Sequence, residues 1–508
     1  MKPLDDLFQL IKSLTKSEKR YFKLINSKKS GEKNNYIRLF DAIDKQKDYN
    51  EEKIKKQFSG TAFIKYLPSE KQYLYNLILK SLDLFYAHST EEKHLEELMH
   101  YTEILFIKGL YQQSKKVADK AMKMALADEM YPQVIKLFQH QIKLINQVSV
   151  SLDEMKIGFA EAHAGSELAI KNLINLGNFY DLYSQMYYLM KKDGEIIRKD
   201  SELKEFEKIL KAPLMENEAQ ALSFKSKQLY YFIKSIYYFV KNDFENAYIV
   251  HKKLLDMYGS YPGKEQQFVD SAQLSNMCEL CIRMKNYKEF WQYHNRLKEL
   301  PARTMLEKSR KFYRVNDLLL WMYTQTGKFD EGVDLINTFQ SEFKVYEHHV
   351  NKPRMIGFYY HIAYSYFGAG DFKNSLVWVN KILNDSKADL RRDFLCFARI
   401  LNLIIHFELK NNVLLEHIIK STHHFLFKRE RLYKIEAILL KFLKRISIIS
   451  DNVQVMDLFK GLHNELSHLL KDPYEKTAFE YFDLISWVKS KIQEKDFGEM
   501  SRSKVVNE

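Results

Sequence analysis

Tyr359-Tyr360-His361-Ile362-Ala363-Tyr364-Ser365-Tyr366-Phe367-Gly368-Ala369-Gly370-Asp371-Phe372-Lys373-Asn374-Ser375 reads as the end of one helix, a tight turn and the start of the next. Gly370 tolerates the left-handed backbone that stops a helix, Phe372 plugs the apex of the hairpin, and Ser375 is small where the two helices approach. The pattern recurs in Lys108-Gly109-Leu110-Tyr111, Leu176-Gly177-Asn178-Phe179, Asn242-Asp243-Phe244, Lys285-Asn286-Tyr287 and Gly327-Lys328-Phe329, and more weakly in Asn411-Asn412-Val413 and Asp451-Asn452-Val453. Counted on the last apolar residue, the turns from Phe244 to Val453 are 43, 42, 43, 41 and 40 residues apart. Small residues follow the aromatic at Ser114, Ala247 and Gly332 as well. A fixed period of this size, carrying helix, turn and helix, predicts an α-solenoid in which each hairpin buries its face on its neighbours. The 68 residues between Tyr111 and Phe179 fit two shorter hairpins, with helices near 131–148 and 152–175.

Composition agrees with an all-α chain. Of 508 residues, 46% are hydrophobic and 14% aromatic, enough for a large core, while 16 Gly and 8 Pro are too few for an all-β sandwich, barrel or propeller. Three cysteines cannot form a disulfide framework and suit a reducing compartment. The N-terminus, Met1-Lys2-Pro3-Leu4-Asp5-Asp6, lacks the basic start and apolar run of a signal peptide, and no run of 18 apolar residues occurs. The expected location is therefore the cytoplasm, with no membrane span; high Lys and Asn usage suggests a bacterial source.

The order Tyr359, Ile362-Ala363, Tyr366, Gly370, Phe372, Ser375 matches the order large, Leu-Gly, Tyr, Gly, Tyr, Ala, and Gly109, Tyr111, Ser114, Ala118 and Ala121 follow it more loosely. In these residues the chain resembles the tetratricopeptide repeat family, over roughly 91–490. It departs from the family in its period, which is longer than the usual ~34 residues. The resemblance implies a right-handed solenoid whose first helices line a concave groove. Aligned to the turn glycines, the groove positions are Arg314, Asp317 and Trp321 in one hairpin and Tyr360, Tyr364 and Phe367 in the next. Arg and aromatic side chains are favoured anchors for protein and peptide partners; the other reading of the second trio is packing between repeats. Tyr230 to Phe239 is aromatic around its whole circumference, so it is either buried on all sides or half open to a ligand. The implied function is a non-enzymatic protein- or peptide-binding scaffold without a cofactor.

Residues 1–90 form a separate small helical module, opened by a Leu4, Leu7, Phe8, Leu10, Ile11 stripe and a Thr15-Lys16-Ser17-Glu18 capping box. The protein carries a net charge of +13, and this module holds 18 Lys/Arg against 11 Asp/Glu, over half of the excess. Lys16, Lys19, Arg20 and Lys23 share one helix face, followed by Lys28, Lys29 and Lys33, as a phosphate-contacting helix requires. The alternative function is thus a regulator whose N-terminal module contacts nucleic acid while the solenoid senses a protein or peptide. Residues 491–508 are expected to be a polar, flexible tail.

Catalytic and metal motifs are missing. Cys278-Glu279-Leu280-Cys281 stands alone, at packing positions of a helix, and reads as core thiols. His348-His349, His423-His424 and His463/His468 lack the HExxH spacing of a zinc site. There is no GxGxxG, no P-loop and no GxSxG, and Gly368-Ala369-Gly370 is accounted for by the turn. Glu51-Glu52 and Glu91-Glu92 fall where helices start and suit the helix dipole.

Overall fold

The computed structural model describes residues 6–27, 35–60, 62–86, 90–193, 197, 200–259, 271–302, 304–347, 352–385, 391–449 and 451–507. These contain helices and turns and no strand, and the chain divides into two compact units, 1–173 and 174–508. Lys28, Lys29, Lys33, His348 and His349 lie outside the described residues.

The first unit opens with the expected bundle: α1 (Asp6–Ser13), α2 (Lys16–Ser27), α3 (Asn35–Asp44), α4 (Glu51–Gln57) and α5 (Leu67–Phe85). Ile11, Phe22, Leu39, Phe40, Ile54 and Ile78 close its core. The capping box forms as read, with Thr15 N–H donating to the Glu18 carboxylate at 2.5 Å and Glu18 N–H to Thr15 Oγ1 at 3.3 Å. Then follow α6 (Glu91–Ile107), α7 (Tyr111–Ala127), α8 (Tyr131–Val148) and the 42-residue α9 (Leu152–Asp193). The boundary between the units falls within α9.

The expected turn at Leu176–Phe179 is absent, because α9 passes through it without a break. A glycine inside a helix costs about 1 kcal/mol, which its helix-forming neighbours and tertiary contacts offset. Two such contacts are local: Phe179 is fully buried, and the Asn175 side chain bonds the main chain at Gln220 and Leu222.

The second unit continues with α10 (Asp200–Leu210), α11 (Phe224–Val240), α12 (Phe244–Gly259), α13 (Ser271–Arg283), α14 (Tyr287–Glu299), α15 (Met305–Gln325), α16 (Phe329–Tyr346), α17 (Lys352–Gly368), α18 (Phe372–Leu383), α19 (Arg392–Glu408) and α20 (Asn412–Lys428). It ends with α21 (Lys434–Ile446), α22 (Asn452–Leu469), α23 (Pro473–Lys476), α24 (Leu484–Gln493) and α25 (Phe497–Asn507). Consecutive helices pack as hairpins, and α13, α15, α17 and α19 also pack on one another as an inner layer. Every residue of α11 is buried or half-buried, which favours the first reading of its aromatic girdle.

One turn design joins the hairpins. A residue with positive φ stands at Asn242, Lys285, Gly327, Gly370 and Lys410, every 40 to 43 residues. At all five the next residue closes the finished helix by donating its N–H back five positions: Asp243 to Tyr238, Asn286 to Cys281, Lys328 to Tyr323, Asp371 to Tyr366 and Asn411 to His406, all at 2.8–3.0 Å. Asp243, Asn286 and Asp371 then cap the following helix with their side chains. In Lys285-Asn286 it is Lys285 that adopts the left-handed backbone, leaving Asn286 free to cap. Small residues sit where helices approach: Ser375 Oγ donates to the Ala363 carbonyl at 2.7 Å, and Ser114 Oγ to Thr102 at 2.8 Å, each twelve residues back.

The expected flexible tail is instead folded. Phe497 and Met500 are buried, and the Phe497 ring stacks on Phe329 and Phe482 at 5.3 and 5.8 Å. Arg502 donates to the Gly327 carbonyl at 3.1 Å. Apolar anchors from 479 to 488, among them Phe479, Phe482, Trp487 and Val488, precede it in the same core cluster, so the tail's polar residues ride on a segment already held.

Candidate functional site

The inner layer encloses a cavity of about 770 Å³ within the second unit. Its walls repeat one register. Measured from the left-handed residue that ends each hairpin's first helix, the positions 13, 10, 9 and 6 residues earlier face the cavity in three helices running. They are Ala272, Ser275, Asn276 and Glu279 in α13, Arg314, Asp317, Leu318 and Trp321 in α15, and Gly357, Tyr360, His361 and Tyr364 in α17. Positions two residues before the turn add Arg283 and Gln325. A helix turns about 100° per residue, so this spacing keeps each set on one stripe. Tyr188, Lys191 and Lys192 of α9, Arg354 of α17, Arg391 and Arg392 at the start of α19, and Glu480 and Tyr481 of the returning C-terminal segment add to the lining.

Of the six groove positions read from the sequence, Arg314, Asp317, Trp321, Tyr360 and Tyr364 meet in this cavity, and Phe367 does not. Phe367 packs on Phe372, Phe482 and Phe497 at 5.2–5.6 Å. Tyr360 and Tyr364 are almost wholly buried and spend their hydroxyls on the C-terminal segment: Tyr360 Oη donates to the Tyr481 carbonyl, and Asp483 N–H donates to Tyr364 Oη, both at 3.0 Å. Burial raises both phenols well above their ordinary pKa. Tyr360 and Tyr364 thus line the cavity while also packing on Phe394 and Phe329 of neighbouring hairpins at 5.3 and 5.6 Å, and Phe367 lies in the core under the C-terminal segment. Arg283, Arg354, Arg391 and Arg392 were missed by sequence reading. Carrying the register of Arg314, Asp317 and Trp321 one hairpin back would have reached Glu279, and Arg283 one turn further on.

The cavity is cationic. Lys191, Lys192, Arg283, Arg314, Arg354, Arg391 and Arg392 face three carboxylates, Glu279, Asp317 and Glu480, and Arg391 is in turn paired with Asp393 at 3.0 Å, which leaves the cations in excess. Arg283 lies against the rings of Phe239, Phe244 and Trp321 at 4.8–5.2 Å, and bridges Glu279 and Glu480. Asp317 holds His361 Nδ1 at 2.7 Å, and the imidazole stacks flat on Trp321 at 5.8 Å. No hydroxyl or thiol among the described residues bonds the second nitrogen of His361. Glu480 keeps 29% of its side-chain surface, but that surface opens into a space walled by protein, and desolvation raises its pKa although Arg283 pulls it down.

The basic helix of the first unit is partly neutralised. Lys19 bridges Asp44 and Lys23 bridges Asp41, both at 2.6 Å, which ties α2 to α3; Lys16 and Arg20 remain exposed. Cys278 and Cys281 are fully buried in α13, and burial drives the Cys281 thiol up to about 12. Among the described residues no group of three or more His, Cys, Asp or Glu is placed to hold a metal ion, and no helix is long and apolar enough to cross a membrane. No protein-family model matches the sequence, and comparison with curated proteins gives no match either.

Proposed function

We propose that this chain is a non-enzymatic, tetratricopeptide-like scaffold that binds a segment of a partner protein in the cavity of its inner helices. The observation that carries the reading is the shared register: three successive hairpins turn the same positions toward one cavity, with Asn276, Arg314, Trp321, Tyr360, His361 and Tyr364 among them. A solenoid with fixed hairpin turns presents such a surface preformed, so the receptor gives up little entropy on binding. The alternative, nucleic-acid contact by the N-terminal module, draws less support because Lys19 and Lys23 are already paired. Purification from the native cell, with and without nuclease, tests the two. A partner that survives nuclease and is lost from the Arg314→Glu variant is the expected result. A partner lost on nuclease treatment, or from Lys16→Glu/Arg20→Glu instead, would move the function to the N-terminal module.

A further inference from the structure

The C-terminal segment shows how the inner helices hold a peptide. Gln325 Nε2 donates to the Glu480 carbonyl at 2.9 Å, Tyr360 Oη to the Tyr481 carbonyl at 3.0 Å, and Asp483 N–H donates to Tyr364 Oη at 3.0 Å. The Glu480 carboxylate meets Arg283, and the Tyr481 ring stacks on Phe397 at 4.2 Å. Main-chain groups are thus bonded by side chains of the inner stripes, an acidic side chain by an arginine, and an aromatic side chain by a ring. Beyond Glu480 the cavity continues, lined by more of the same groups.

There the charge is not balanced. All three cavity carboxylates are engaged within the protein: Glu279 and Glu480 on Arg283, Asp317 on His361. Arg354 and Arg392 are exposed at the rim. Arg354 makes no hydrogen bond or ion pair among the described residues, and Arg392 makes one long bond, 3.4 Å, to the Lys192 carbonyl. A cleft lined by one sign of charge, with low-dielectric walls, focuses its field on a ligand of the opposite sign, and guanidinium groups match carboxylates in geometry.

We propose that the ligand of this cavity is an acidic peptide segment, held as the protein holds its own Glu480-Tyr481. This rests on the scaffold reading and names the class of partner for that site. A short extended peptide suits a volume of about 770 Å³, which is within the usual range of ligand pockets.

The test is selection of random octapeptides on the full-length protein, with the double variant Arg354→Glu/Arg392→Glu in parallel. Both side chains are exposed, so the variant keeps the fold, which circular dichroism checks. Selected peptides are expected to be enriched in Asp and Glu over the input, and to bind the variant at least ten-fold more weakly. Inorganic phosphate and a single-stranded oligonucleotide are expected not to compete at equal charge concentration. Absence of selection, enrichment in neutral or basic peptides, equal binding to the variant, or displacement by the oligonucleotide would each overturn the proposal. If a photo-crosslinker at position 354 still captures a partner segment that is not acidic, the scaffold reading stands and only the acidic ligand falls.

Discussion

Arg283→Met removes the cation that joins the C-terminal segment to the inner layer while keeping most of the stem's volume. In the native protein the side chain is 6% exposed, lies on three rings and bridges Glu480. Losing one partner of a fully buried pair costs about 3–5 kcal/mol, and contacts of a cation with rings about 0.5–2 kcal/mol. Glu480 keeps 29% of its side-chain surface open, so the pair is not fully buried and the combined loss should fall below that range, ~2–3 kcal/mol. Undocking of 477–493 returns Glu480 to water, and the loss therefore appears as easier opening of that segment. Amide hydrogen exchange there should quicken roughly 30- to 100-fold, since 1.4 kcal/mol is a factor of ten, while exchange in 6–86 stays unchanged. The effect should be larger at pH 8 than at pH 5. Glu480 has a raised pKa in the folded state, so its unfavourable term is present above that pKa and is relieved as protonation neutralises the carboxylate on acidification. Arg283→Met/Glu480→Gln should recover most of the protection. Unchanged exchange in the single variant, or a double variant as labile as the single, would refute the reasoning.

Gly368 ends α17 against the Phe329 ring, and a Cβ there would fall within that ring, itself held by Tyr364 and Phe497. Gly368→Ala should destabilise by about 2 kcal/mol in urea unfolding despite its better helix propensity, and become neutral or stabilising in a Phe329→Ala background. His251 is fully buried, and burial pushes its pKa down to about 4. Because this folded pKa lies below the unfolded ~6.5, the neutral form's stability is present above pH 6.5 and is lost as pH falls toward 4, by up to ~3 kcal/mol. The urea midpoint of His251→Leu should fall less over that range than the wild-type midpoint. Burial raises Cys281 and Cys396 to about 12 and Cys278 further still, so a thiol reagent at pH 8 should label none of the three in the native state and all three in denaturant.

The hairpins were legible because their turns are built from local chemistry. A left-handed residue, a capping Asp or Asn and an aromatic occupy consecutive positions at Asn242, Lys285 and Gly370, and the Gly or Asn, the cap and the aromatic leave marks in a single sequence where a left-handed Lys does not. Gly177-Asn178-Phe179 carries the same letters inside a continuous helix, since Asn175 and Phe179 find tertiary partners that no local pattern shows. Five of the six groove positions read from the sequence line one cavity, again because helical register is local. What covers Tyr360, Tyr364 and Phe367 was not legible. Their partners stand more than a hundred residues away, in a segment whose polar end hides the anchors Phe482 and Phe497. The cationic balance of the cavity escaped for the same reason, as it assembles side chains from α9, α13, α15, α17 and α19.

The central claim is that the cavity of the inner helices is where a partner binds. A photo-crosslinking amino acid placed at Arg354, on the cavity rim, and at Lys253, exposed on α12, tests it in the native cell. Position 354 should capture a defined segment of a partner protein, position 253 should not, and Arg314→Glu should abolish the capture. Equal crosslinking from both positions, or capture from 354 that Arg314→Glu leaves intact, would contradict the account.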